Sequence, residues 1–188
     1  MLSEQFPSIV SDLHLLVAAG LQYSTIYADP PWQYSNTAAR GAAANHYLTL
    51  DVDRLCQRPV QAVVARDAHL HLWTTNGFLP EAFRVIEAWG FTYKSCFVWV
   101  KPQLGLGNYW RVSHEFLLFA ARGHLPFLDN SQRSWRLIRR RRHSQKPWKV
   151  RELIARVSPG PYLELSGREE LPDSPWTVFG NQVERRLF

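Results

Sequence analysis

Tyr23-Ser24-Thr25-Ile26-Tyr27-Ala28 runs directly into Asp29-Pro30-Pro31-Trp32. The first six residues are β-branched, aromatic or small, without glycine or proline, and predict a strand. A strand that ends in a carboxylate, two prolines and an indole presents a rigid polar edge beside a flat stacking surface. That edge suits a planar ring carrying an amine. The same residues would also serve as a strand-terminating turn or a polyproline ligand. Their order, strand then acid then Pro-Pro then aromatic, favours a catalytic loop.

The chemistry explains the residue types. The exocyclic amine of adenine is a poor nucleophile because its lone pair is delocalised into the ring, so a group that transfers to it requires both N–H bonds to be held. Asp29 can accept one of them and the carbonyl of Pro30 the other, while two prolines fix φ and remove competing backbone donors. Trp32 offers a face to the base, a contact of about 1–3 kcal/mol.

Outward from this stretch, strands and helices alternate. Apolar residues at Ile9, Leu13, Leu16 and Val17 predict a helix over residues 8–19, closed at Gly20. Residues 33–47 show no period and read as a long loop over the pocket, with Tyr34, Asn36, Arg40, His46 and Tyr47 able to touch a base or its phosphates. Thr49 caps an expected short helix over 50–55. Strands are expected at 69–74, 91–100, 115–121 and 162–165, the last being the final clear strand, and helices at 79–89 and 147–157. This alternation implies an α/β fold, a mostly parallel sheet with helices on both faces.

The chain has 188 residues, and 46% of them are hydrophobic and 13% aromatic, which fits one globular domain spanning 1–188. Its net charge of +6 favours a polyanionic partner. Nine of the 22 Lys and Arg lie between residues 130 and 151 with no acid among them: Arg133, Arg136, Arg139, Arg140, Arg141, Arg142, Lys146, Lys149 and Arg151. Trp135, His143 and Trp148 interleave with them. Cations for phosphates and rings for bases are what a channel for a single strand or a flipped base requires. Cys56 and Cys96 lack any paired-ligand spacing, so neither a disulfide framework nor a metal site is expected and the setting reads as reducing and cytoplasmic. No apolar run reaches the length of a membrane span, and residues 1–5 lack the basic start of a signal peptide, so a soluble protein is expected.

Asp29-Pro30-Pro31-Trp32 resembles the catalytic tetrapeptide of the adenine-N(6) methyltransferases of the mRNA-methylating, seventy-kilodalton-subunit family, which includes bacterial and phage members. The resemblance continues through His69-Leu70-His71-Leu72-Trp73-Thr74, Phe97-Val98-Trp99-Val100-Lys101, Ser144-Gln145-Lys146-Pro147, Tyr162-Leu163-Glu164-Leu165-Ser166-Gly167-Arg168 and Trp176-Thr177-Val178-Phe179-Gly180-Asn181-Gln182. It implies a three-layer Rossmann-like methyltransferase with permuted motif order, the catalytic half preceding the cofactor half. It further implies S-adenosylmethionine as methyl donor and adenine in nucleic acid as acceptor, DNA favoured over RNA.

By the same resemblance, Asp29, Pro30, Pro31 and Trp32 form the catalytic loop. Lys101 binds the methionine part of the cofactor; Arg168, Asn181 and Gln182 contact its sugar and adjoining groups, and Glu164 orders the region. Asp12, or its neighbour Ser11, stands where the family reads the cofactor's adenine, and Asp29 lies within reach of the same ligand. Tyr34, Arg40, His46, Tyr47, Arg139, Arg140, Arg141, Arg142, His143 and Lys146 are the expected nucleic-acid contacts. Glu169-Glu170-Leu171 departs from the polar pair the family places after Arg168, which implies weaker cofactor binding. The family also contains paired subunits, so a homo- or heterodimer partner is an expectation, and a catalytically silent nucleic-acid-binding subunit is the alternative function.

Overall fold

The structure is a computed structural model and describes residues 6–32, 51–105, 107, 109–140, 146–167 and 174–180. Among them eight strands form one sheet: β1 (Ile9–Val10), β2 (Tyr23–Ala28), β3 (Val64–Thr74), β4 (Thr92–Val100), β5 (His114–Arg122), β6 (Trp135–Leu137), β7 (Tyr162–Leu165) and β8 (Trp176–Phe179). Their order is β1-β8-β7-β2-β3-β5-β4-β6. All pairings are parallel except the two made by β5, which runs against both β3 and β4.

The centre of the sheet is β2. Thr25, Ile26, Tyr27 and Ala28 pair with His69, Leu70, His71 and Leu72 on one side and with Tyr162, Leu163, Glu164 and Leu165 on the other. The strand that delivers Asp29 is therefore flanked by a segment that follows it closely and by one from far along the chain.

Strand alternation splits the interior into two layers. Ile26 and Ala28 of β2, Leu70 and Leu72 of β3, and Leu163 and Leu165 of β7 pack with four helices on one face: α1 (Leu13–Ala18), α2 (Val52–Cys56), α3 (Val60–Val63) and α4 (Leu79–Ala88). Tyr27, Trp73, Trp99, Leu117 and Trp176 face the other way and pack with Val150 and Ile154 of α5 (Lys149–Val157). The three-layer α/β architecture follows. Among the described residues no helix is long and apolar enough to cross a membrane.

Helix α4 shows how local chemistry and packing agree. Pro80 stands in its first turn, where a missing N–H costs nothing, and Gly90 at φ +80° ends it. Ala82, Val85 and Ile86 bury one face, and the indole of Trp89 just beyond donates to the Leu55 carbonyl at 2.8 Å. Truncating Trp89 to Ala would remove both the packing and the bond, at about 3–5 kcal/mol.

Three expectations are corrected. Residues 8–19 are not one helix: Ile9–Val10 joins the sheet beside β8, and the helix starts only at Leu13 behind Asp12, because pairing with Val178 and Phe179 captures the first turn. The helix expected over 50–55 starts at Val52 behind Asp51, which makes no side-chain cap bond, and Thr49 lies outside the described residues. Two strands come unannounced, β6 within the basic segment after the strand expected at 115–121, and β8 beyond the expected last strand.

Candidate active site

Seven strands point the same way, so their C-terminal ends form a single sheet edge, and β5, running backwards, begins there. Asp12, Asp29, Thr74, Lys101, Glu115, Arg139, Gly167 and Gly180 all stand along it. Open α/β sheets bind ligands at this edge, where the connections diverge.

At its middle four charges alternate. Asp29 Oδ1 lies 2.8 Å from Lys146 Nζ, the same ammonium lies 3.2 Å from Glu115 Oε2, and the other Glu115 oxygen accepts from Lys101. These four side chains are only 17–22% exposed. Burial would raise the Glu115 carboxyl, but Lys146 and Lys101 outweigh it and hold the group below its usual range. Burial likewise opposes the Lys146 ammonium, and Asp29 and Glu115 outweigh it, lifting its pKa above the ordinary value. Two indoles support the cations: Lys101 Nζ lies 4.5 Å from the Trp99 ring centre and Lys146 Nζ 5.4 Å from that of Trp73.

The MT-A70 family profile matches residues 23–182, which include this whole row of charges. The chain belongs to the MT-A70 family. Membership makes it a methyltransferase. It is 31% identical over 184 residues to the type II methyltransferase M.MunI of Mycoplasma sp, with 86% of this chain and 78% of that protein covered. It is 26% identical over 174 residues to the N(6)-adenosine-methyltransferase catalytic subunit METTL3 of Homo sapiens, covering 87% of this chain and 28% of that one. A probable N(6)-adenosine-methyltransferase of Oryza sativa is also 26% identical, with 23% of its length covered. The chain thus spans about a quarter of these two plant and animal relatives.

In this MT-A70 chain the loop from Asp29 to Trp32 is held more tightly than its sequence announces. The Asp29 N–H donates to Leu165 O at 3.3 Å, and Pro30 O already accepts the Trp32 N–H at 2.9 Å, leaving that carbonyl one further lone pair. Trp32 does not present an open stacking face. It is 6% exposed, its ring stacks on Phe78 at 5.4 Å, and its indole N–H donates to Trp73 O at 3.1 Å. A polar anchor on β3 draws the ring into the core and so fixes the turn after Pro31.

Two further residues stand in other surroundings than expected. Lys146, expected as a nucleic-acid contact, lies inside the site on Asp29. Arg151 also leaves the basic surface: from α5 it grips the buried carboxylate of Glu164 with two bonds, 2.6 and 2.7 Å, locking helix to strand. Asp12 is exposed and accepts the His14 N–H at 2.9 Å as the N-cap of α1. Arg139 and Arg140 are exposed just past β6. Tyr34, Asn36, Arg40, His46, Tyr47, Arg141, Arg142, His143, Arg168, Asn181 and Gln182 lie outside the described residues.

Glu115 was not among the expected site residues. A signal existed: it is the lone acid between Glu87 and Asp129 and stands directly before the apolar run 116–121 of its strand. Trp73 and Trp99 likewise gain a role as platforms for the two lysines.

Beneath the site lies a second polar cluster. His69 Nε2 donates to Leu125 O at 3.1 Å, which leaves Nδ1 to accept the Ser158 hydroxyl at 2.9 Å; Ser158 Oγ in turn accepts from His71 Nε2 at 2.9 Å. All three side chains are buried. Burial, with His69 nearby, pushes the His71 pKa down to about 3, and burial lowers His69 as well. Both imidazoles are thus neutral in the folded protein near pH 7.

Proposed function

We propose that the protein transfers a methyl group from S-adenosylmethionine to N(6) of adenine in a nucleic acid, DNA in preference to RNA. The observation that carries this reading is the Asp29 carboxylate, seated on the central strand at the ligand-binding edge and oriented at Oδ1 by Lys146. The similarity to the type II methyltransferase, which extends over most of both chains, supports the preference for DNA.

The backbone beyond β7 fits a nucleotide-containing cofactor. Ser166 adopts φ +66°, a conformation costly for a non-glycine residue, and Gly167 N–H donates to Phe179 O at 3.1 Å. A Cβ on Gly167 would meet Val178 Cγ1 at 2.3 Å, and one on Gly180 would meet Gly167 O at 2.0 Å, so the ends of β7 and β8 close on each other with bare backbone facing the edge. Lys101, Arg168, Asn181, Gln182 and Asp12 are the residues proposed to hold the cofactor, with Glu164 ordering the region. Lys101 and Lys146 are the ammonium groups suited to its carboxylate. S-adenosylmethionine, when bound, supplies an electrophilic methyl group.

The chain's own residues prepare the acceptor. Asp29 takes one amine N–H and Pro30 O, with its remaining lone pair, takes the other, drawing the nitrogen lone pair out of the ring. Lys146 keeps the carboxylate from rotating, and Trp32, clamped between Phe78 and Trp73, keeps the loop from yielding. Positioning and fixed charge supply the rate acceleration. The methylated nitrogen is acidic and releases its proton readily, with Asp29 the adjoining carboxylate. An adenine in duplex must be extruded to reach this edge, so unpaired adenine is the easier substrate.

The test is incorporation of labelled methyl from S-adenosylmethionine into matched DNA and RNA oligonucleotides with and without adenine. Adenine-dependent labelling that disappears in Asp29→Ala, stronger for DNA, is expected. Labelling independent of adenine would overturn the reading.

A further inference from the structure

The β4–β5 connection carries an element that the reaction proposed above leaves unused. It rises from the site itself: Lys101 N–H donates to Ser113 O at 2.6 Å and Gly105 N–H to Val112 O at 2.9 Å, continuing the strand ladder past the sheet edge at the position of Lys101 and Glu115. Above this stem Tyr109 is 95% exposed and Trp110 87% exposed. Exposing two large rings side by side forfeits their burial, and such a patch marks a binding surface.

The stem holds these rings out by close packing. A Cβ on Gly105 would lie 2.2 Å from Val112 O, and one on Gly107 would lie 2.2 Å from Trp110 O, so two glycines let the backbone fold on itself. Arg111 follows the rings, and its guanidinium reaches Gly107 O at 3.4 Å. Between Ala88 and His114 the sequence has no acid, while Lys94, Lys101 and Arg111 are basic. Rings with a π-face, a cation at their base and no carboxylate suit a polyanion that displays bases.

We infer that Tyr109 and Trp110 stack on the nucleotides flanking the target adenine while Arg111 contacts the adjoining phosphate. This rests on the proposed nucleic-acid substrate and adds the means by which it is gripped beside the site. In a duplex the same rings occupy the stack where the adenine was, offsetting the unstacking cost of extrusion.

The experiment compares the wild-type chain with Tyr109→Ala/Trp110→Ala on two oligonucleotides of the preferred polymer. One is intact and one carries abasic sugars at the positions flanking a single adenine. Both KM and anisotropy Kd are measured. Both side chains are exposed, so folding is expected to survive, and an unchanged Tm together with unchanged S-adenosylmethionine affinity checks that it has. The expected result is a Kd and KM for intact oligonucleotide raised about 5- to 150-fold per lost stack. The limiting kcat stays within about threefold, and the abasic oligonucleotide weakens binding only for the wild type. Equal Kd values for the two proteins would overturn the inference, as would a variant still sensitive to the abasic sites. Conversion of a wild-type dimer to a monomer, with Kd per site unchanged, would also overturn it and make the loop a protein interface. Should the wild type methylate no adenine, the proposed reaction fails while the Kd comparison still decides the stacking.

Discussion

The ammonium of Lys146 lies 2.8 Å from Asp29 Oδ1, joining a basic segment late in the chain to the acid that ends β2. Asp29 is therefore one member of a balanced row of two cations and two anions. Replacing it with Asn keeps the shape and removes the charge that Lys146 holds. Asp29→Asn is expected to lower kcat by about 100-fold or more while the far-ultraviolet circular dichroism is unchanged, since a positioned polar group at the reacting atom contributes on that order.

Lys146→Met leaves Asp29 and Glu115 facing each other with no cation between them, and Lys101 remains only on the far side of Glu115. The partial exposure of these groups moderates the penalty, so a loss of about 1–3 kcal/mol in urea unfolding is expected at pH 7. In the wild type the lowered Glu115 pKa contributes stability that is present above the ordinary value of 4.5 and is lost as pH falls through the folded value. Adding Glu115→Gln to Lys146→Met should recover part of the loss, and a double-mutant cycle that came out additive would refute the coupling.

The His69–Ser158–His71 cluster sets an acid limit. The folded His71 pKa, about 3, lies below its ordinary 6.5, so the unfolded chain binds protons first as pH falls. Stability is fully present above about pH 6.5 and declines by about 1.4 kcal/mol per unit for this group as pH drops toward 3, with His69 adding to the slope in the same direction. Chemical denaturation between pH 7 and 4 should show the decline, and His71→Phe should flatten it. Ser158→Ala strips one bond from each imidazole and is expected to cost about 1–3 kcal/mol at pH 7.

Trp32 separates anchoring from stacking. Trp32→Phe keeps a ring against Phe78 but loses the bond to Trp73 O, at about 0.5–1.5 kcal/mol. Trp32→Ala empties the position, at about 3–5 kcal/mol. Because the ring secures the loop, both variants should lower kcat more than they raise the KM for nucleic acid. A pure KM effect would instead mean that Trp32 meets the base directly.

Elements whose apolar residues repeat cleanly were legible. Residues 23–28 and 162–165 form strands over the expected span, and α4 and α5 stand within two residues of their expected limits. Ile9–Val10 was misread because two apolar residues before a true helix fit the same 3.6-residue pattern, and only the distant β8 shows that they are strand. Short β6, with exposed Trp135 and Leu137, carries no buried face to betray it. In the site, Asp29 and Lys101 were readable from local motif. The pairing of Lys146 with Glu115 was not, since composition describes a run of cations without saying which one turns inward. The same holds for Arg151, whose partner Glu164 lies across a helix-to-strand turn.

The place of β2 between β3 and β7 has a consequence for biogenesis. Pairing with β3 can form as soon as residue 74 has been synthesised, but Thr25 to Ala28 keep an open strand edge until residues 162–165 emerge. Such distant closure is slow and leaves a β-edge bare in the meantime. Lys146, which locks Asp29, likewise arrives late. A nascent or prematurely ended chain therefore carries the Asp29 loop without the framework that holds it, and the acid is made long before the residues that house it.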